Sequence, residues 1–178
     1  MKEIIAFAGS NSQNSINKQL ATYAAHQVEG ANVKTLDLND FDLPLYGIDL
    51  EMASGIPADA QRFLDSIRDA DGIVLSLAEH NGAYATAFKN AFDWMSRLDG
   101  KLWSDVPMFL MATSGGARGG ATVLEIAKGR FPYMGGNIAA TFSLPSFDQN
   151  FSDQGITDSA LKNTFDTAVA AFESVLNS

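Results

Sequence analysis

The sequence predicts a doubly wound α/β domain, a parallel sheet with helices on both faces. Three observations carry that prediction. Short apolar runs recur along the 178 residues, amphipathic stretches of helical period separate them, and no internal repeat, low-complexity tract or linker interrupts the alternation. The length suits a single domain over 1–178, since domains run to roughly 100–200 residues. Hydrophobic residues make up 46% and charged residues 19%, enough for a packed core and too little bias for disorder.

Each element has its own justification. Ile4–Ala8 is a continuous apolar run bounded by polar and turn residues, as expected of a strand covered on both faces. The loop from Gly9 to Asn17 feeds a helix whose stripe is Ile16, Leu20, Tyr23, Ala24 and Val28. Val33–Leu38 alternates apolar with polar side chains and belongs at an edge. Pro57 opens a second helix, with Ala60, Phe63, Leu64 and Ile67 facing inward. Gly72–Leu77 and Met108–Ala112 are further central strands. Between them Tyr84, Phe88, Ala91, Trp94, Met95 and Leu98 mark a third helix. Val123 to Lys128 forms the core of a fourth, Asn137–Phe142 the other edge strand, and Leu161, Phe165, Ala168, Val169, Phe172 and Leu176 the stripe of a terminal helix. Five parallel strands with right-handed crossovers give the flavodoxin-like order 2-1-3-4-5.

Charge and composition exclude several functions. Against 12 Lys+Arg stand 21 Asp+Glu, and a net charge of -9 repels nucleic acid and anionic membranes alike. No apolar run approaches the roughly 18 residues of a membrane span, and Met1-Lys2-Glu3 leads into a strand, so a cytoplasmic location is expected. The absence of cysteine removes disulfides, thiolate nucleophiles and iron–sulfur ligation. His26 and His80 make no zinc site without carboxylates, and no metal is expected. His26 reads as a surface residue. Ser76, Ser114 and His80 lie in no nucleophile elbow, so no catalytic side chain is assigned and redox chemistry belongs to a borrowed cofactor.

In sheets of this kind ligands occupy the crevice at the carboxyl ends of the strands where the winding reverses, here between the first and third. The loop Gly9 to Asn17 holds three serines and three asparagines at a helix N-terminus, a lysine-free site for an anion, although helix capping draws on the same residues. Both G-x-G-x-x-G and G-x-x-x-x-G-K-[ST] are missing, which favours a terminal monoester phosphate over a pyrophosphate on a glycine turn or a clamped triphosphate. Ala78 to Ala83 follows the third strand. Thr113 to Gly120 follows the fourth and has four glycines in its last six positions, where main chain can approach a flat ring or simply connect strand to helix.

Four segments, GSNSQNSINKQLA (Gly9 to Ala21), LPLYGIDLE (Leu43 to Glu51), AEHNGAYATAFKNAFDWMSR (Ala78 to Arg97) and TSGGARGG (Thr113 to Gly120), carry a resemblance. In order and spacing the chain resembles the NAD(P)H-dependent FMN reductases, the flavodoxin-like group that includes quinone, azo-dye and chromate reductases. The resemblance implies FMN, its phosphate held by Ser10, Ser12, Ser15 and Asn17 and its isoalloxazine edge by Ala78, Glu79, His80 and Asn81, with Ser114, Gly115 and Gly116 along the other side. It also implies hydride transfer from NADPH or NADH to the flavin and on to a small flat electron acceptor, in a homodimer or homotetramer.

This chain has Ser12 where the family often has arginine, and Ala78-Glu79-His80-Asn81 in place of Pro-Glu-Tyr-Asn. Arg118 is a candidate contact for a 2′-phosphate. Trp94 suits either the core or a subunit interface. The Leu43-to-Glu51 segment suits a cover over the site, a subunit contact or a plain surface connection. A flavodoxin-type electron carrier and a non-catalytic FMN-binding or regulatory module share the fold, but the loops offer little aromatic cover for a flavin, which favours the reductase.

Overall fold

The apolar runs pair side by side, as strands buried on both faces must. The structure is a computed structural model describing residues 1–178. Its elements in chain order are β1 (Lys2–Gly9), α1 (Ile16–His26), β2 (Ala31–Thr35), α2 (Ile48–Ser54), α3 (Ala58–Arg68), β3 (Gly72–Leu77), β4 (Glu79–His80), β5 (Ala83–Tyr84), α4 (Thr86–Leu98), β6 (Pro107–Thr113), α5 (Ala121–Arg130), β7 (Asn137–Leu144), α6 (Phe147–Asn150), β8 (Phe151–Ser152), β9 (Gly155–Ile156) and α7 (Ser159–Leu176). The main sheet has the order β2-β1-β3-β6-β7 and is parallel throughout, which is the expected flavodoxin-like winding.

The sheet separates two cores. On one side α3, α4 and α5 contribute Phe63, Phe88 and Val123, joined by Trp103 and Phe131. On the other, α1 and α7 bring Leu20, Ala24, Phe165 and Phe172 against Phe109 and Phe142 of the sheet. Full burial of each such phenylalanine contributes about 1.5–3 kcal/mol. Gly72 opens β3 where a Cβ would lie 2.9 Å from Leu176 Cδ1 and 3.0 Å from Phe172 Cζ, so a larger residue there would push the tips of α7 side chains aside.

Three local readings are corrected. The edge strand stops at Thr35 rather than Leu38, because the Asp37 carboxylate accepts the Asn39 N–H at 2.9 Å and turns the chain into a 3-10 turn at Leu38–Asp40. Tyr84 belongs to β5 and not to the following helix. Asn81 (φ 52°) and Gly82 (φ 76°) form a two-residue turn with both φ positive, the type I′ geometry that closes a tight hairpin between β4 and β5. The Leu43-to-Glu51 segment enters a helix at Ile48.

That segment is strapped onto α4. Trp94, fully buried in the chain's own interior, donates its Nε1–H to the Pro44 carbonyl at 2.6 Å and meets Tyr46 edge to face at 4.9 Å. Asn90 donates to the carbonyls of Leu43 and Pro44 and accepts the Tyr46 N–H at 2.8 Å. Leu45, Ile48 and Met52 project outward from the strap. No helix is long and apolar enough to cross a membrane.

Candidate functional site

The site begins where β1 hands over to α1. Ser15 caps the helix, its Oγ accepting the Lys18 N–H at 3.1 Å, and the Ser12 N–H donates to Ser10 Oγ at 3.1 Å, which curls the loop over the helix end. The first helical N–H groups have no partner within the helix and are available to an anion.

Asn17, expected as a phosphate contact, lines the crevice and also ties its walls together. It is 3% exposed, and its side chain makes three hydrogen bonds. Nδ2 donates to the Thr113 carbonyl at 3.2 Å, while Oδ1 accepts the Thr113 N–H at 3.0 Å and the Ser76 hydroxyl at 2.7 Å. The residue therefore knits α1 to the ends of β3 and β6 and sets the width of the crevice, while the second Nδ2 hydrogen stays available to a ligand.

The crevice has a volume of about 270 Å³ and is lined by Ser10, Ser12, Asn14, Ser15, Ile16 and Asn17 at one end and by Ala78, Glu79, His80, Thr113, Ser114 and Gly115 at the other. It lies at the carboxyl ends of β1, β3 and β6, as expected. Asn81 and Gly116 do not line it. Asn81 sits at the hairpin tip, and the Gly116 carbonyl is turned away, accepting the N–H groups of Gly119 at 3.2 Å and Ser146 at 2.9 Å. Asn14, Ile16 and Thr113 line the crevice without having been singled out. The reversal at the end of β1 and the position of Thr113 directly before Ser114 were the available signals.

The two ring-side loops are braced. The Glu79 carboxylate accepts the Val123 N–H at 3.0 Å and so caps α5 from the opposite loop, where the helix's own first position is Gly120 with no side chain to do it. Gly119 and Gly120 have φ of 57° and 72°, and a Cβ on Gly119 would meet Ser143 Oγ at 2.5 Å, so this turn admits only glycine. The Ser114 carbonyl accepts the Phe147 N–H at 3.0 Å. The loop is a fixed wall and not a loose connection.

The electrostatics are neutral where a ligand would be gripped. Lys18, the cation nearest in sequence, is 2.5 Å from Asp37. Burial pushes the Asp37 carboxyl up, but hydrogen bonds from Lys18 and from the Asn39 main chain and side chain outweigh it and hold the group below its ordinary value. Arg118 donates to Thr122 at 3.0 Å. Glu79 is the one carboxylate along the crevice and is directed onto α5. Hydroxyls, amides and helix N–H groups at one end and small residues beside main chain at the other fit a phosphorylated flat ring, and FMN has that shape and those needs.

Comparison with known proteins agrees with this geometry. Residues 2–148 match the family described as NADPH-dependent FMN reductase. The chain is 31% identical to the quinone reductase of Escherichia coli over 120 residues, covering 67% of this chain and 63% of that one. The chain thus spans less than two thirds of the length of that relative. It is 33% identical to the 2-hydroxy-1,4-benzoquinone reductase of a Burkholderia species, covering 74% of this chain and 71% of that one. Among solved structures, FerB, a flavoenzyme NAD(P)H:(acceptor) oxidoreductase from Paracoccus denitrificans, superposes with a TM-score of 0.78 at 25% identity, covering 99% and 98% of the two chains.

Proposed function

Because the chain belongs to the NADPH-dependent FMN reductase family, we propose that it is an NAD(P)H-dependent oxidoreductase that holds FMN in this crevice and reduces a small flat acceptor, a quinone, azo compound or free flavin. The observation that carries the reading is the pairing of a neutral hydroxyl-and-amide cradle at the α1 N-terminus with a shallow, small-residue wall at Ser114 and Gly115. When bound, FMN supplies the hydride-accepting and hydride-donating chemistry.

The chain's own residues do the holding. Ser10, Ser12, Ser15 and Asn14 grip the phosphate together with the free helix N–H groups. Asn17 fixes the distance between that grip and the ring wall and turns its remaining amide hydrogen to the phosphate. Ala78 and the main chain of Glu79 and His80 border the ring on one side, with Ser114 and Gly115 on the other. The ring side of the crevice is lined by Ala78, Ser114 and Gly115 with no phenylalanine, tyrosine or tryptophan, which leaves a ring face open to a second flat molecule. That openness separates a reductase from a carrier whose ring is shielded by aromatic side chains. No general acid or base is required of the protein.

Residues 1–178 act as one cytoplasmic domain, and the molecule is a homodimer or homotetramer. The outward-facing Leu45, Ile48 and Met52 on the strap, 74%, 52% and 80% exposed, support self-association. Titration with FMN followed by an NADPH and NADH oxidation assay tests the reading. Yellow protein that oxidises the nicotinamide supports it. Yellow protein inert to both indicates a carrier, and protein that takes up no FMN removes the reading altogether.

A further inference from the structure

A nicotinamide dinucleotide brings negative charge to the crevice, and the chain has one cation placed to meet it. Seven of the 12 Lys and Arg side chains are held in ion pairs. Of the others, Lys2 opens β1, Lys34 faces a groove beside Glu3, Asp65 and Asp69, Lys101 precedes β6, and Arg130 closes α5, the helix that runs back from the carboxyl ends of the strands. Among these unpaired cations only Arg118 stands at the end of the sheet where the crevice opens, in the loop between β6 and α5. It is exposed and lies three residues beyond Gly115 of the ring-side wall, a span of at most about 11 Å.

The loop holds that charge in place. The Gly119 N–H donates to the Gly116 carbonyl at 3.2 Å and the Ala121 N–H to the Arg118 carbonyl at 3.0 Å, so Arg118 sits within two successive turns. The Gly116 carbonyl also accepts the Ser146 N–H at 2.9 Å, which ties the loop to the chain leaving β7. The side chain lies along the first turn of α5 and donates one N–H to Thr122 Oγ1 at 3.0 Å. A guanidinium carries five donors in a planar fork, so four remain for a ligand. The fork matches a phosphate in two-pronged fashion, and a side chain already steadied by a neighbour loses less freedom on binding.

The surrounding carboxylates decide which dinucleotide is favoured. In doubly wound dinucleotide-binding sheets an acidic residue takes the 2′-hydroxyl of NADH, whereas an arginine accommodates the 2′-phosphate of NADPH. Here Glu79 is engaged with the Val123 N–H at 3.0 Å, and Glu125 on α5 is paired with Lys128 at 2.7 Å. A phosphate monoester carries about -1.5 to -2 at neutral pH. In a chain of net charge -9, an unpaired arginine on the rim is the group that offsets it.

We propose that Arg118 is the specificity-determining residue for the reductant, clamping the 2′-phosphate so that the site takes NADPH in preference to NADH. The proposal rests on the reading that FMN fills the crevice and a nicotinamide dinucleotide meets its open face. The experiment is isothermal titration of the FMN-loaded chain with NADP+ and with NAD+, for the parent, Arg118→Ala and Arg118→Lys, with FMN affinity measured for each protein. The parent is expected to bind NADP+ at least tenfold more tightly than NAD+. Arg118→Ala lowers NADP+ affinity at least tenfold, shifts NAD+ affinity less than twofold and leaves FMN affinity unchanged. Arg118→Lys keeps the charge without the fork and falls between the two. A parent that binds neither dinucleotide, or NAD+ as tightly as NADP+, overturns the proposal while the FMN reading stands, as does equal weakening of both in Arg118→Ala. A parent that takes up no FMN overturns the reading beneath it. If Arg118→Ala spares both dinucleotides and instead raises the KM for anthraquinone-2-sulfonate but not for uncharged menadione, the arginine reads an acidic acceptor and the proposal falls.

Discussion

The Asn17 side chain satisfies both main-chain groups of Thr113, accepting its N–H at 3.0 Å and donating to its carbonyl at 3.2 Å. A helix side chain thereby takes over one residue beyond the point where the β3–β6 pairing ends, at Leu77 and Ala112. Asn17→Ala leaves the Thr113 peptide groups and the Ser76 hydroxyl buried without partners, at roughly 1–3 kcal/mol for each unsatisfied group. A loss of about 3 kcal/mol in urea unfolding is expected, with FMN affinity falling at least tenfold as the crevice walls part. A stability change within about 0.5 kcal/mol of the parent would show that the tie is not structural.

Ser12 leaves the phosphate cradle without a charge. Ser12→Arg supplies a charge-assisted contact at the loop and is expected to raise FMN affinity about tenfold, equivalent to about 1.4 kcal/mol. The gain shrinks as salt is added, because the new attraction lies near the surface. Isothermal titration at low and high ionic strength reads both effects, and an affinity indifferent to the arginine would place the phosphate elsewhere.

Tyr84 Oη is buried without a hydrogen-bond partner. Burial pushes the phenol up to about 12, and nearby Arg130 opposes the shift only in part. The neutral form is the one the fold favours. Its contribution to stability is therefore complete below the ordinary value of 10 and is lost as pH rises through about 12. Tyr84→Phe removes the orphan hydroxyl, raising stability by about 1 kcal/mol at neutral pH, and flattens the alkaline decline. Thermal unfolding at pH 8 and pH 11 measures both, and equal alkaline losses in the two proteins would reject the assignment.

The indole N–H of Trp94 is a direct tether of the strap through Pro44. Trp94→Phe keeps the apolar bulk and removes that hydrogen bond, for an expected loss of about 1 kcal/mol. Faster amide exchange confined to residues 43–54 and weaker self-association in sedimentation are the readouts. Unchanged exchange there would mean that Asn90 and the Arg97–Glu51 ion pair hold the strap without it.

The sheet order and the place of the crevice were legible because continuous apolar runs and helical stripes state burial directly, as at Ile4–Ala8 and along α3. The β4–β5 hairpin was signalled by Asn81-Gly82, but the apolar spacing that begins at Tyr84 imitates the helix that follows. The role of Asn17 was not legible. A polar residue near a helix start reads as a ligand donor or cap, and only the fold brings it within reach of Thr113, 96 positions away. The short helix α2 buries no side chain, so it left no apolar period to detect.

Trp94 and Trp103 are the chain's two tryptophans and both are fully buried, one beneath the strap and the other among Phe92 and Phe131. The molecule therefore carries two internal lamps screened from water, with short-wavelength emission that iodide does not quench while the fold is intact. A yellow chromophore docking nearby dims them by energy transfer, whereas loosening at either location shifts their colour toward red, so occupancy and opening are readable from one spectrum without any added dye.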